Sequence, residues 1–234
     1  MDLKRLLTIV IPCKNENQII DKTLSLLNFQ KNIQGTKIIV ADISDDETTY
    51  QLESRQNDLF DLEIIQGGLP SRARNNGAKL AKTPYILFLD ADIFIMDEML
   101  LTNAIEKIKN NDIDLLTTKF RTTSGEYNYV FKTFDIIQRL IKPFTPFCLG
   151  GFMLVKRSVF IYYKGFDEEA KVAEDYLFSK KIKPKRFYIN KSVVYTPPRR
   201  FKNKGMRYMV KLMIQSFLNR NNREFFINGN KYWD

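Results

Sequence analysis

The sequence predicts an α/β fold: a doubly wound, mostly parallel sheet flanked by helices, with a basic helical segment at the C-terminal end. Three observations predict it. Short, wholly apolar, β-branched runs recur along the first half of the chain and each ends in polar residues, as strands covered on both faces do. Stretches with apolar residues at helical spacing lie between them, and strands alternating with helices favour parallel pairing. The 234 residues are 44% hydrophobic and 27% charged, which supplies one sizeable core and excludes a disordered or collagen-like chain.

Leu7 to Ile11 (LTIVI) is the first strand, followed by polar PCKNEN and a helix carrying Ile19, Ile20, Thr23, Leu24 and Leu27. Lys37 to Ala41 (KIIVA) is the second strand, ending in the acidic loop DISDDET. Leu62 to Gln66 is a short third strand, and a helix covers 71–82. Tyr85 to Leu89 (YILFL) ends in Asp-Ala-Asp, a helix covers 97–110, and Leu115 to Phe120 is another strand. Then come a helix over Tyr129 to Lys142 and a strand over Phe147 to Val155 (FCLGGFMLV) that contains the double glycine. A helix over Lys156 to Lys164 stops at Gly165, the residue a helix C-terminus favours. A further helix carries Glu174, Asp175 and Leu177. On the last helix Met206, Met209, Val210, Met213, Ile214 and Phe217 share a face, a stripe that suits core packing or a lipid contact.

There is no histidine. That removes Ser-His-Asp and Cys-His nucleophiles and histidine-ligated zinc or iron. Any metal must be held by oxygen, which points to Mg²⁺, Mn²⁺ or Ca²⁺. The net charge of +10 is lopsided. From Lys180 to Asp234 there are 15 Lys and Arg against Glu224 and Asp234 alone, while the first 179 residues are slightly acidic. Such a block suits phosphate groups or an anionic surface, or serves as a solvated face. Zinc-finger spacing and RNP-type aromatics are absent, so no nucleic-acid partner is expected. No apolar run reaches 18 residues, and the first apolar stretch is too soon broken by Pro12 and Lys14 for a signal peptide. With two distant cysteines, Cys13 and Cys148, a cytoplasmic location is expected.

Ligands of open parallel sheets bind outside the carboxyl ends of the strands. Those ends here carry Asn15 and Glu16, Asp42 to Asp46, and Asp90 with Asp92. The last pair is the sharpest signal: two carboxylates launched from a buried strand can share one divalent cation while substrate phosphates complete its shell. A lone Asp-X-Asp also caps helices. No Gly-X-Gly-X-X-Gly or Walker sequence follows the first strand, which excludes dinucleotide oxidoreductases and P-loop enzymes.

The strings TIVIPCKNEN, IIVADISDDET, SRARNNGAKLAKTPYILFLDAD, GGFMLVKRSVFIYYKGFDEE and AEDYLF, in this order, resemble the inverting glycosyltransferases of family 2. The resemblance covers roughly 7–200 and implies the GT-A fold, a Rossmann-like sheet, for a catalytic domain over 1–200. Residues 201–234 are then a basic amphipathic extension packed on the domain or on a membrane. One departure is visible: the family's acidic loop has two adjacent acids, Gly and Ser, and this chain reads Asp42-Ile43-Ser44-Asp45-Asp46.

The resemblance implies a non-processive inverting hexosyltransferase that uses Mn²⁺ or Mg²⁺ and a UDP- or GDP-linked sugar in glycan or polysaccharide biosynthesis. The Gln-X-X-Arg-Trp motif of processive synthases is missing; the single tryptophan is Trp233. The acceptor would be a glycan hydroxyl or a lipid-linked group. Pro12, Glu16, Asp42, Arg74, Asp90 and Ala91 would line the nucleotide, and Asp92 with Asp90 would hold the metal. Gly150 and Gly151 would let backbone approach the donor sugar or acceptor. Asp175 would be the catalytic base, with Glu174 beside it.

Each residue has a plainer role as well. Asp175 suits the first turn of a helix, Asp42 an Asx turn, Arg74 a helix surface, and the glycine pair a bulge. Residues 196–220, TPPRRFKNKG and the amphipathic helix, would anchor the chain peripherally on an anionic membrane surface. Alternatively, Arg199, Arg200 and Lys202 would contact donor or acceptor phosphate. A sugar-phosphate nucleotidyltransferase and a non-catalytic basic phosphate-binding protein are the alternative functions. The first would carry a Gly-rich loop where this chain has PCKNEN.

Overall fold

The computed structural model describes residues 1–55 and 58–228, without the side chains of Met206, Met209 and Met213. Three positions of the expected methionine stripe, and Trp233, therefore lie outside the described residues. Seven strands form one sheet in the order β3-β2-β1-β4-β6-β5-β7. The strands are β1 (Leu7–Cys13), β2 (Lys37–Asp42), β3 (Asp61–Gln66), β4 (Tyr85–Leu89), β5 (Leu115–Thr122), β6 (Phe152–Lys156) and β7 (Phe187–Thr196). All neighbours pair in parallel except β6, which runs antiparallel to β4 and β5.

Burial explains the elements. Every residue of β4 is buried, as is β1 up to Ile11, because helices cover both faces of the central strands. Helix α1 (Asn17–Asn28) turns Ile20, Thr23, Leu24 and Leu27 inward. Helix α3 (Pro70–Leu80) begins at proline, whose missing N–H costs nothing in a first turn. It lies so close to β1 that a Cβ at Gly77 would sit 2.4 Å from Val10 Cγ1. That approach carries Arg74, one turn earlier, towards the strand ends. On the same face Phe88, Phe160, Phe166 and Phe178 pack ring against ring, with centroids about 5 Å apart.

The remaining helices are α2 (Thr48–Glu53), α4 (Leu100–Asn110), α5 (Asn128–Ile141), α6 (Arg157–Tyr162), α7 (Glu174–Ser179), α8 (Arg199–Lys204), α9 (Met206–Leu218) and α10 (Arg223–Ile227). One expectation needs revision. The glycine pair does not lie inside a strand: β6 starts at Phe152 because the Gly150 amide is turned sideways to a side chain, and Gly151 only begins the ladder by accepting from Asp90 N. Strand β7 and helices α2, α8 and α10 carried no expectation. The strand expected over Leu115 to Phe120 runs on to Thr122 and pairs with β7.

Two aromatic side chains of the C-terminal segment, Phe201 and Phe226, pack on the body. Phe201 stacks on Tyr127 with centroids 4.9 Å apart and meets Phe131 edge-on. Phe226 is fully buried against Ala170, Val172, Tyr176 and Leu177. Among the described residues no helix is long and apolar enough to cross a membrane. Cys13 and Cys148 are free and buried.

Candidate active site

The carboxyl end of β4, Arg74 of α3, the glycine turn before β6 and the start of α7 meet in one cleft of about 640 Å³. Arg74 is its centre. The side chain is 3% exposed, so it is no surface cation. Its Nη2 donates to Asp90 Oδ1 at 2.6 Å, and its Nη1 donates to Glu174. Burial opposes the guanidinium's charge, but Asp90, Glu174 and Asp175 around it more than offset that, and its pKa is raised. The Phe166 ring lies 5.6 Å from the guanidinium carbon.

Asp175 stands beside this ion cluster and is held by backbone. The Gly150 amide donates to Oδ2 at 2.6 Å and its neighbour's amide, Tyr176 N, to Oδ1 at 2.7 Å. Burial, and then the charge of Glu174, push its pKa up to about 7, with Arg74 pulling the other way. Its carboxyl therefore exchanges a proton near neutrality, as a general base must.

Asp90 and Asp92 face different partners. Asp90 belongs to Arg74, whereas Asp92, 3% exposed, has Oδ2 3.2 Å from Arg199 Nη2. The same nitrogen donates to Glu16 Oε1. Glu16 Oε2 is buried without a hydrogen-bond partner. Burial raises the Glu16 pKa, and Arg199 limits the rise. Between them, Ala91 is buried and its carbonyl accepts from Thr23 Oγ1 at 2.6 Å.

Among the described residues no three Asp, Glu or Cys side chains form a ready-made metal cage. The donor set still fits a hard cation. Asp92 offers a carboxylate beside Glu16, whose Oε2 is unpartnered, while Asp90 is taken up by Arg74. Mg²⁺-type ions commonly take one or two carboxylates and complete the shell with substrate phosphate and water.

Asp42 is set apart. It lines a second hollow of about 310 Å³ with Ser44, Thr49 and Gln66. Both oxygens are engaged: Oδ1 accepts from Ser44 N and Oγ at 3.2 and 2.6 Å, and Oδ2 from Thr49 Oγ1 at 2.6 Å. The Asx turn is thus real. Cys13, beside it, has its thiol pKa raised by burial and by the carboxylates of Asp42 and Glu16. Pro12, half-buried on β1, lies in register with Ala41. The two loops are knitted together, since Asn15 N donates to Ser44 Oγ at 2.8 Å and Glu16 N to Thr48 Oγ1 at 3.0 Å.

Two contributors escaped sequence reasoning. Asn75 clamps the loop after α6 by three hydrogen bonds to Phe166 and Glu168. Its place in RARNNG was the available signal. The apolar arm of the cleft lies between Phe134 and Ile137 of α5 and Ile214 and Phe217 of α9; the α9 stripe was legible, but its pairing with α5 was not, because the two helices lie far apart in sequence.

A family model for glycosyl transferase family 2 matches residues 8–163. The chain is 29% identical over 220 residues, 83% of its length and 35% of the relative's, to the poly(ribitol-phosphate) beta-glucosyltransferase of Bacillus spizizenii. It is 30% identical over 188 residues, 74% of its length and 32% of the relative's, to the poly(ribitol-phosphate) beta-N-acetylglucosaminyltransferase TarS of Staphylococcus aureus. It therefore spans about a third of the length of these curated relatives. The crystal structure of S. aureus TarS 1-349 in complex with UDP-GlcNAc aligns with a TM-score of 0.63 at 22% identity, over 82% of this chain and 58% of that one. The mannosyltransferase PcManGT of Pyrobaculum calidifontis, solved with GDP-Man and Mn²⁺, aligns with a TM-score of 0.68 at 20% identity, over 83% and 58%. The motifs, the sheet order and the family match agree: the chain has the GT-A fold and belongs to glycosyl transferase family 2.

Proposed function

We propose that this chain transfers one sugar from a nucleotide-diphosphate donor to an acceptor hydroxyl or lipid-linked group with inversion, assisted by Mn²⁺ or Mg²⁺. The observation that carries the reading is the single cleft in which Arg74, Asp90 and Asp92 face Asp175 and Glu174. Leaving of a nucleoside diphosphate builds negative charge on one side of the sugar, and positive charge develops at the anomeric carbon. Arg74 lies where it can stabilise the first, and a divalent cation at Asp92 would supply further positive charge to the diphosphate. Asp175, oriented by the Gly150 amide, takes the proton of the attacking hydroxyl. Pro12, Glu16, Ala91 and Asp42 would flank the nucleotide. The solved relatives with UDP-GlcNAc and with GDP-Man and Mn²⁺ support this donor class. Family membership favours transfer over the nucleotidyltransferase alternative, and the catalytic cluster stands against a purely phosphate-binding protein.

Calorimetric titration with UDP, GDP and dTDP, with and without Mn²⁺, tests the reading. One nucleotide should bind in a Mn²⁺-dependent way, and Asp92→Ala should weaken it. No binding of any of the three would end it.

A lipid-linked acceptor is a second reading, favoured by the apolar arm of the cleft. Ile214 and Leu218 on α9 are exposed at 54% and 68%, on a segment that also carries Arg207 and Lys211. Residues 196–220 would then rest on an anionic membrane at its cytoplasmic face. Sedimentation with anionic liposomes at low and high salt tests this; no binding at low salt would sink it.

A further inference from the structure

Arg199 reaches its position by a long route. Strand β7 lies at the edge of the sheet farthest from β3. Its end is clipped back to the Asp92 loop by paired backbone bonds: Phe94 N to Tyr195 O at 2.7 Å, and Tyr195 N to Phe94 O at 3.0 Å. Four residues later, Arg199 stands over the carboxyl ends of β1 and β4, where it holds Glu16 and Asp92 together. Glu16 lies 183 residues away and Asp92 107. The Asp92 side chain is 4% exposed, so this is its main charge contact. Arg199 itself remains 32% exposed. A guanidinium with a third of its surface in solvent can leave; a buried carboxylate cannot.

We propose that Arg199 is a built-in counter-cation that occupies the divalent-cation seat at Asp92 and Glu16 in the free protein, and gives it up when a diphosphate binds. The proposal rests on the transferase reading for its nucleotide half. The argument is charge balance. Without Arg199, Asp92 would be a nearly buried carboxylate next to a second acid, a costly arrangement. A divalent cation arriving alone must displace the guanidinium, so it binds weakly. A cation arriving with a diphosphate brings negative oxygens to which Arg199 can turn, and a guanidinium fork suits phosphate. Exchange of one cationic partner for another keeps the carboxylates paired throughout. It also makes cation binding conditional on donor, which protects the cleft from idle metal.

The test uses Mn²⁺ alone as the probe, read as loss of the free Mn²⁺ spin-resonance signal, with the wild-type chain, Arg199→Gln and Arg199→Lys. Without nucleotide, Arg199→Gln should bind Mn²⁺ tighter than wild type by about tenfold, the scale of a close charge pair. Arg199→Lys, which keeps the charge and loses the fork, should stay near wild type. With UDP or GDP present, Arg199→Gln should show a smaller gain in Mn²⁺ affinity than wild type does. Equal or weaker Mn²⁺ binding by Arg199→Gln without nucleotide would overturn the proposal. Should Arg199→Gln fail to fold, tighter binding by Arg199→Lys than by wild type would overturn it, because a retained charge must still compete. If neither nucleotide binds any variant while Arg199→Gln still tightens on Mn²⁺, the transferase reading and the diphosphate half of the proposal fall, and the occupation of the cation seat by Arg199 stands.

Discussion

The amide of Gly150 donates to Oδ2 of Asp175 at 2.6 Å, and the point where a Cβ at Gly150 would sit is 2.8 Å from Arg74 Nη2 and 3.2 Å from that same oxygen. The turn therefore needs glycine for lack of room. Arg74 cannot step aside cheaply, because Asp90 and Glu174 hold both of its terminal nitrogens.

Gly150→Ala follows directly. The methyl should push the guanidinium off Asp90 or tilt Asp175, with a cost of about 1–3 kcal/mol as for other overpacked sites. Transfer should fall by more than nucleotide binding does. Thermal unfolding and steady-state kinetics on the same preparation check it; an unchanged melting temperature with full activity would contradict the steric account.

Arg74→Met removes the cation shared by three carboxylates. Breaking a buried pair from one side costs about 3–5 kcal/mol. The loss should depend on pH. Arg74 holds down the raised pKa of Asp175, so without it that carboxyl keeps its proton further into neutral pH in the native state. Stability relative to wild type should then be least impaired in acid and worsen as pH rises past the carboxylate range. Urea unfolding at pH 5 and pH 8 measures this, and a loss independent of pH would refute it.

How much of this was legible follows from what each residue touches. Strands β1 and β4 are covered on both faces, so apolar runs betray them. Strand β7 reads FYINKSVVYT; most of it is only half-buried at a sheet edge, so Asn, Lys and Ser interrupt the pattern. Asp90 and Asp92 looked like one pair. One residue apart beyond a strand end, they answer to two arginines that come from α3 and from α8. Arg74 and Glu174 are 100 residues apart, and no local periodicity can report such a contact; only the family motifs set Arg74 beside the nucleotide and Glu174 beside the base. The placement of Asp42 in a hollow of its own was equally hidden, since an Asx turn and a nucleotide contact begin from the same residue type.

Asp175 should give the activity its pH profile. Its pKa is raised to about 7 by burial and by Glu174, with Arg74 in opposition, so the carboxyl is neutral below that value and cannot accept the hydroxyl proton. Transfer to a hydroxyl should climb from pH 6 to pH 8 and then level off, and Asp175→Asn should abolish it while leaving nucleotide affinity intact. The stability consequence has the opposite sign. A carboxyl whose native pKa exceeds its unfolded value stabilises the fold below the unfolded pKa, and that contribution is lost as pH rises through the native one. Asp175→Asn should therefore flatten the decline in stability between pH 4 and pH 7. A rate profile flat across this window would remove Asp175 from the base role, whatever the structure around it.

Asn75 offers a test of the scaffold alone. Its amide nitrogen donates to Phe166 O at 2.9 Å and Glu168 Oε1 at 3.0 Å, and its Oδ1 accepts from Phe166 N at 3.0 Å. A Cβ at neighbouring Gly165, φ +69°, would lie 2.6 Å from that Oδ1, so the loop is fitted to the amide. Phe166 in turn touches Arg74. Asn75→Ala leaves the buried Phe166 N–H and C=O without their partner, at about 1–3 kcal/mol. The loop around Phe166 should gain amide exchange, and Arg74 should lose a packed neighbour. Asn75→Asp keeps the acceptor for Phe166 N but places a carboxylate against Phe166 O and Glu168, so it should rescue little. Hydrogen exchange over residues 160–170 and the melting temperatures of both variants decide the matter: protection equal to wild type in Asn75→Ala would mean that aromatic packing, and not this amide, holds the loop against Arg74.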